Sequence, residues 1–164
     1  MKWPLVSCLM SRHWRDAGSL VQVVVTRSRD GDEAGPMCVG VFLADLGCLG
    51  LKNGHGGFMS HEDRQLMLDQ MSAMDPLVEV SGDLAAKLVY EARDYAAGLG
   101  FKPHRDAVDM LPLLHDCDPT RSHETVAVGN GSGKPPAAPS APAMERSRDG
   151  RCDNCIHRDP AKKV

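Results

Sequence analysis

The feature that most constrains the fold is a pair of apolar runs separated by a turn signal. Residues 20–25 are rich in β-branched side chains, which favour strands. Residues 37–46 are also apolar, and their central part, 39–44, is nearly continuous in apolar residues, as in a strand buried on both faces. The segment between the runs contains Asp30-Gly31, a dipeptide that favours hairpin turns. The sequence therefore predicts an antiparallel hairpin.

Three later segments carry helical signals. Ser60 is an N-cap residue, and the apolar residues after it recur at helical spacing. Residues 84–99 show a longer apolar stripe that ends at glycines, which are helix stop signals. Residues 107–114 are also predicted to be helical, with Pro112 breaking or kinking the helix. The glycine-rich segment 47–57 is predicted to be a loop, because glycine is enriched where the backbone turns tightly.

These signals predict one α+β domain followed by two other segments. Residues 1–128 are expected to fold as an antiparallel hairpin or small sheet packed against two or three helices. Residues 129–143 are rich in Gly, Ser and Pro, a composition that cannot bury a core, and are expected to be a disordered linker. Residues 144–164 form a short basic tail that is too small to fold alone unless something staples it.

The charge is divided unevenly between these parts. Residues 1–128 contain 12 Lys and Arg against 18 Asp and Glu, a net charge of −6, whereas residues 129–164 contain 7 against 4, a net charge of +3. An acidic domain does not favour contact with phosphate backbones. Nucleic-acid binding is therefore disfavoured and would have to occur through the tail, which lacks the aromatic residues that stack on bases.

The N-terminal segment and the six cysteines bear on the compartment. The apolar residues 3–10 are few and precede basic residues, which is the wrong order for a secretory signal. The sequence contains no run of 18 apolar residues that would span a membrane. We therefore expect a cytoplasmic protein whose cysteines are reduced thiols and which does not insert into membranes.

The most specific chemical motif lies in the tail, where Cys152, Cys155 and His157 fall within one short segment. Two thiolates and an imidazole are ligands that zinc prefers, so zinc is the candidate cofactor. The domain, or a second tail in a homodimer, would have to complete the site. The alternative interpretation is a disordered tail with two free thiols, because structural zinc sites usually contain two ligand pairs. The sequence leaves both open.

A second candidate site involves Cys48, which follows the buried run and lies between glycines, where a turn would display a nucleophile. His104 would then act as the base and Asp106 would orient it. The structural alternative is an inert, buried Cys48, because free cysteine is among the most buried residue types. Asp45, at the end of the same run, is explained equally well by a capped turn and by proton transfer.

Residues 41–53, 95–106 and 129–135 together resemble a family of bacterial proteins to which no activity is assigned. The family pattern reads FLVD-x-x-CLGVKD, then YA-x-x-LGF-x-PH-x-D, then FG-x-DGKP, and the likeness covers residues 3–135. The first two blocks agree in spacing and type, whereas the third lacks the aromatic strand that precedes it in the family. The resemblance implies an α+β domain and draws attention to Cys48, Lys52, His104 and Asp106.

Three functional hypotheses follow. The leading one is a non-catalytic module that binds another protein, with a tail ordered by zinc or by the partner. The alternative is a small thiol-dependent enzyme that uses Cys48, His104 and Asp106. The weaker alternative is nucleic-acid binding through the basic tail.

Overall fold

The predicted hairpin lies at the centre of a larger sheet. The computed structural model describes residues 2–129. It contains an antiparallel sheet of five strands in the order β4-β3-β2-β1-β5. In chain order the strands are β1 (Leu5–Ser11), β2 (Leu20–Ser28), β3 (Met37–Asp45), β4 (Gly50–Met59) and β5 (Leu77–Val80).

Helices cover both faces of this sheet, which confirms the predicted α+β fold. They are α1 (His61–Met74), α2 (Gly82–Gly98) and α3 (Arg105–Met110), and two short 3-10 turns follow at Leu111–Leu114 and Pro119–Arg121. Pro112 lies in the first 3-10 turn, so the regular helix ends before the proline, as predicted.

The burial of β3 explains its continuous apolar sequence. Phe42 and Ala44 pack into a core shared with α2 and α3, whereas Val39 and Val41 face the opposite side, where α1 supplies Leu68. Successive strand residues point to opposite faces, so a strand covered on both sides needs apolar residues at every position. The central strand is therefore buried on both faces, as predicted.

The two long helices begin at serines that cap them. The Ser60 hydroxyl accepts a hydrogen bond from the Asp63 N–H at 3.1 Å, and Ser81 accepts one from the Leu84 N–H at 3.1 Å. Each bond satisfies a backbone donor that the first helical turn leaves free. Helix α2 buries the stripe that the sequence indicated, including Leu84, Leu88 and Ala92.

The prediction of a loop over residues 47–57 is wrong, because Gly50–Met59 is strand β4. Its glycines serve close packing rather than a loop. A Cβ at Gly54 would lie 2.4 Å from the Ala107 Cα, and one at Gly56 would lie 2.3 Å from the Val39 carbonyl oxygen. Only glycine leaves room for α3 to lie directly on the strand.

The two strands at the other side of the sheet had no clear sequence signal. Strand β1 lies in a segment interrupted by Pro4, and β5 has only four residues between two helices. They pair with each other from Cys8↔Val80 to Ser11↔Leu77. Tertiary packing, rather than local periodicity, therefore decides this half of the sheet.

A buried arginine fixes the segment that follows α3. Arg27, only 1% exposed, donates to the Leu113 carbonyl at 2.6 Å and to the Trp3 carbonyl at 2.6 Å, and it forms an ion pair with Asp116. The hydrogen bond from Arg27 and its positive charge lower the pKa of Asp116 below the ordinary value. These contacts fix the segment that follows α3 against strand β2.

Within residues 2–129, no helix is both long and apolar enough to cross a membrane. Apart from Gly129, the predicted linker at 129–143 and tail at 144–164 lie outside the described residues. The domain boundaries and the expected disorder of these segments stay predictions.

Candidate functional site

His104 and Asp106 lie together at the start of α3. The His104 side chain is the N-cap: its Nδ1 accepts a hydrogen bond from the Asp106 N–H at 3.3 Å. The ring nitrogen is 3.8 Å from the Asp106 carboxylate, and both side chains are about half exposed, at 48% and 62%. A capping role accounts for His104 structurally.

Cys48 lies in the turn between β3 and β4 and is partly buried. Its backbone N–H donates to the Asp45 carboxylate at 3.2 Å, and the Gly47 N–H donates to the same oxygen at 2.9 Å. Asp45 therefore caps the turn. Within residues 2–129 the Cys48 thiol makes no hydrogen bond with His104, and the proposed thiol chemistry stays a prediction.

The two blocks that carry the family resemblance meet in space. The His104 N–H donates to the Leu51 carbonyl at 2.8 Å, which joins the loop before α3 to the start of β4. From this point α3 runs along β4: Ala107 lies against Gly54, and Met110 lies against Gly56. The strand and the short helix thus form two walls of one groove.

The groove has two adjoining depressions of opposite charge. One, of about 260 Å³, is lined by Lys52, Lys102 and His104 together with apolar side chains. The other, of about 270 Å³, is lined by Gly54, His55, Gly56, Asp106, Asp109 and Met110. Because α3 runs along β4, the cationic depression lies at the Leu51 end and the acidic one beside the strand's middle. None of the ion pairs within residues 2–129 includes Lys52, Lys102 or Asp109.

Strand β4 is also an edge strand, so half of its backbone groups point away from the sheet. The register identifies which ones. The Arg29 N–H donates to the Pro36 carbonyl at 3.4 Å, so the backbone groups of Pro36 point toward β2. This direction alternates from residue to residue, so even-numbered β3 residues bond to β2 and odd-numbered ones bond to β4. Gly54, Gly56 and Phe58, which pair with even-numbered β3 residues, therefore direct their N–H and C=O groups outward.

An aromatic pair lies at the far end of this edge. Phe58 is 63% exposed, and its ring packs edge-to-face against Trp3, with ring centroids 5.4 Å apart. The exposed large apolar side chains of residues 2–129 belong to several elements, so Phe58 matters here through its place on the open edge rather than as part of a broad patch.

A serine, an aspartate and a histidine meet elsewhere, but not in a catalytic arrangement. Ser11 is fully buried and donates to Asp75, while His13 Nδ1 lies 3.2 Å from the other Asp75 oxygen. A nucleophilic serine bonds to the histidine, not to the carboxylate. These side chains tie β1 to the connection between α1 and β5.

Part of the groove could not be identified from the sequence. The sequence indicates His104 and Asp106 through residue chemistry and through the resemblance, and Lys52 through the resemblance alone, but it does not indicate Lys102, Asp109 or the outward backbone of Gly54 and Gly56. The available signal was the two-residue spacing of Gly54 and Gly56, which is typical of a strand face packed against another backbone.

The predicted metal ligands Cys152, Cys155 and His157 lie outside the described residues. In the part of the chain that the structure describes, no cluster of three or more His, Cys, Asp or Glu side chains is arranged to hold a metal ion. The zinc hypothesis therefore stays a prediction about the tail.

Comparisons with protein-family models, with curated proteins and with solved structures found no match to this chain. Any functional conclusion therefore depends on the residues and geometry of the chain itself.

Proposed function

We propose that this protein is a non-catalytic interaction module that binds an extended segment of another protein as an additional strand beside β4. The observation that carries the proposal is the ten-residue edge strand β4, whose outward backbone groups border a groove walled by α3. Exposed edges are ordinarily blunted, because unpaired backbone groups accept any other strand. A long edge with a groove beside it is the architecture used for strand addition.

The chemistry of β4 supports backbone recognition. Its outward residues Gly54 and Gly56 direct their N–H and C=O groups away from β3, toward the place that an added strand would take. Each outward residue offers one donor and one acceptor, and Phe58 extends the series. A bound strand would therefore form its hydrogen bonds with three residues spaced along about 14 Å of the edge.

One position of the edge is already closed. The Leu51 carbonyl accepts its bond from the His104 N–H, so the loop at residues 101–104 occupies the place of a neighbouring strand there. In the part of β4 that follows Leu51, the only backbone groups within residues 2–129 that bond to the strand are those of β3. The Gly54 N–H is bonded at 2.8 Å by the Asn53 side chain, which an incoming carbonyl could replace.

The test uses the full chain and two display libraries of random peptides, one presenting free carboxyl termini and one presenting internal segments. Selected peptides are added to the isotopically labelled protein, and amide hydrogen exchange is measured by NMR. Strand addition predicts new protection at the outward amides of Gly54, Gly56 and Phe58. Failure of both libraries to yield such a peptide, or protection confined to other elements, would overturn the proposal.

Matched variants test whether binding occurs on this edge. Phe58→Pro removes one outward N–H, whereas Phe58→Leu removes the ring and keeps the N–H. We expect binding to fall more in Phe58→Pro than in Phe58→Leu. A peptide N-methylated at the amide that bonds the edge gives the same test without altering the protein, and undiminished affinity for it would contradict strand addition.

The tail enters the proposal as a second element of the module, ordered by zinc or by the partner. Elemental analysis and native mass spectrometry of the reduced protein test the metal directly. Zinc lost in Cys152→Ser/Cys155→Ser supports a metal-ordered tail, and one zinc per two chains supports a homodimer site. Equal metal content in the two proteins would contradict a zinc site at these cysteines.

A further inference from the structure

We infer that the segment bound at β4 is a carboxyl terminus with a basic side chain two residues before its last residue. This inference rests on the proposed function and adds the direction and chemistry of the partner. It follows from three features of the groove: the closed end of the edge, the cations beside that end, and the carboxylates of α3.

The closed end limits how far a bound strand can extend. Because the His104 N–H already occupies the Leu51 carbonyl, an added strand cannot continue along β4 past this point. A strand antiparallel to β4 runs from Phe58 toward Leu51, so the end that reaches the closed position is its carboxyl end. A chain that terminates there avoids the loop at 101–104, whereas an internal segment would have to bend away from the sheet.

The side chains at this end favour a carboxylate. Lys52 and Lys102 are exposed, and within residues 2–129 no acidic side chain pairs with either of them. The His104 Nδ1 accepts the Asp106 N–H, so a neutral ring carries its proton on Nε2 and can donate from there. Three potential donors line one depression of about 260 Å³, which suits a single carboxylate.

The acidic wall defines a second requirement. Asp106 and Asp109 are three residues apart on α3, so they lie on the same side of the helix, and both line the depression beside Gly54 and Gly56. Directly opposed residues in an antiparallel pair share a face of the sheet. Partner side chains opposite these glycines therefore point toward α3, where the two carboxylates favour Lys or Arg.

The spacing follows from the register. If the last residue of the partner pairs with Gly54, the residue two before it pairs with Gly56 and the residue four before it pairs with Phe58. The first position brings the terminal carboxylate toward Lys52, the second faces Asp109 and Met110, and the third meets the exposed ring of Phe58. An aromatic side chain is expected at this third position, because it would pack against the ring.

The experiment measures binding of a labelled hexapeptide of this design to the full chain by fluorescence anisotropy. It ends in a free carboxylate and carries lysine two residues before, and phenylalanine four residues before, the last residue. Amidation of the carboxyl end is expected to weaken binding about tenfold, and replacing the lysine by glutamate is expected to weaken it by about the same factor. Both losses should shrink as salt is raised.

Charge exchange identifies the protein side of each contact. Lys52→Glu should weaken the carboxylate peptide about tenfold and leave the amidated peptide nearly unchanged. Asp109→Lys should weaken the lysine peptide and restore binding of the glutamate peptide. Arg12→Glu and Asp16→Lys make the same changes of net charge at exposed positions on the β1 side and should alter neither affinity.

The outcomes separate this inference from the proposed function. If internal segments bind as tightly as free carboxyl termini and still protect Gly54 and Gly56, strand addition holds and the terminal-carboxylate inference fails. If amidation weakens binding but hydrogen exchange shows no new protection at the outward amides, the proposed strand addition fails. The terminal-carboxylate inference, which rests on it, then fails too. Restoration by Asp109→Lys with the glutamate peptide is the result a merely structural role of Asp109 cannot produce.

Discussion

The two edges of the sheet differ in almost every respect that governs association. Strand β5 has four residues and is followed at once by the cap of α2, whereas β4 has ten residues and an open groove along its side. Short edges leave few unpaired backbone groups, and this is a common way to prevent unwanted pairing. The difference indicates that the molecule protects one edge and leaves the other available.

The largest expected effect concerns the contact between β4 and α3. Gly54→Ala would place a methyl group 2.4 Å from the Cα and 2.7 Å from the backbone nitrogen of Ala107. Both are main-chain atoms, so they cannot rotate away as a side chain could. We expect the free energy of unfolding to fall by about 3 kcal/mol, measured by urea denaturation. An open edge whose glycines were incidental would tolerate the change.

Gly57 provides the matched control on the same strand. A Cβ at this position meets no atom within 4 Å, and its backbone needs no left-handed conformation. Gly57→Ala should leave the unfolding free energy unchanged or raise it by about 0.5 kcal/mol. Equal losses in Gly54→Ala and Gly57→Ala would contradict the assignment of the Gly54 effect to its contact with α3.

The next effect tests whether the hydrogen bonds and ion pair of Arg27 stabilise only the β4 side of the sheet. Asp116→Asn leaves the buried guanidinium without its ion-pair partner, and because Asp116 is half exposed we expect a loss of about 1–2 kcal/mol at neutral pH. Hydrogen exchange should increase in α3 before it increases in β5. Increased exchange in β5 alone would contradict this assignment.

The pH dependence of this pair has a definite sign. The hydrogen bond from Arg27 lowers the pKa of the Asp116 carboxyl below its ordinary value of 3.8 in the folded protein. The pair therefore stabilises the fold above that pH and loses its contribution as the carboxylate is protonated below it. The stability difference between wild type and Asp116→Asn should be full at neutral pH and shrink below about pH 4.

Smaller and equal effects are expected at the two serines that follow the edges. Ser60 follows β4 and Ser81 follows β5, and each accepts a backbone N–H at 3.1 Å. Ser60→Ala and Ser81→Ala should each cost about 1 kcal/mol of unfolding free energy, measured by thermal denaturation. A much larger loss for one serine would mean that its edge depends on the cap for more than helix initiation.

The last prediction concerns reactivity rather than stability. Burial, with a smaller contribution from Cys117, raises the pKa of the Cys8 thiol to about 12, and Cys8 pairs with Val80 of β5. Iodoacetamide should therefore modify Cys8 only after unfolding, whereas the partly exposed Cys48 beside β4 should react in the folded protein. Peptide mapping by mass spectrometry gives the order, and early labelling of Cys8 would contradict its burial in the core that β1 shares with α2.

The sequence predicted the parts of this molecule that depend on local pattern. The β2–β3 hairpin, the Ser60 cap and the stripe of α2 follow from periodicity and from capping chemistry. The sequence wrongly predicts a loop at strand β4, because its glycines carry no hydrophobic pattern and are needed for contact with α3, which lies about fifty residues later. Strand β5 has only four residues, which is too short to show a periodic pattern in the sequence.

The candidate site was accessible only in part for the same reason. His104 and Lys52 stand in recognisable segments, but their proximity depends on one backbone hydrogen bond between His104 and Leu51. The outward direction of Gly54 and Gly56 depends on strand register, which the sequence does not display. The residue types alone therefore favoured a protein-binding module, with thiol chemistry at Cys48 as the alternative, but they did not indicate which surface would bind.

The two glycines of β4 that line the groove have a consequence for how the sequence of such a protein can evolve. At Gly54 and Gly56, β4 would contact a bound strand through main-chain atoms only. The hydrogen bonds in the proposed complex would therefore not depend on the partner's side chains. In the proposed complex, discrimination between partners would rest on the solvent side of α3, where Asp109 is exposed and belongs to neither core cluster of residues 2–129. Substitutions there can alter which partner is preferred while the unfolding free energy is hardly affected, so selectivity can drift without endangering the fold.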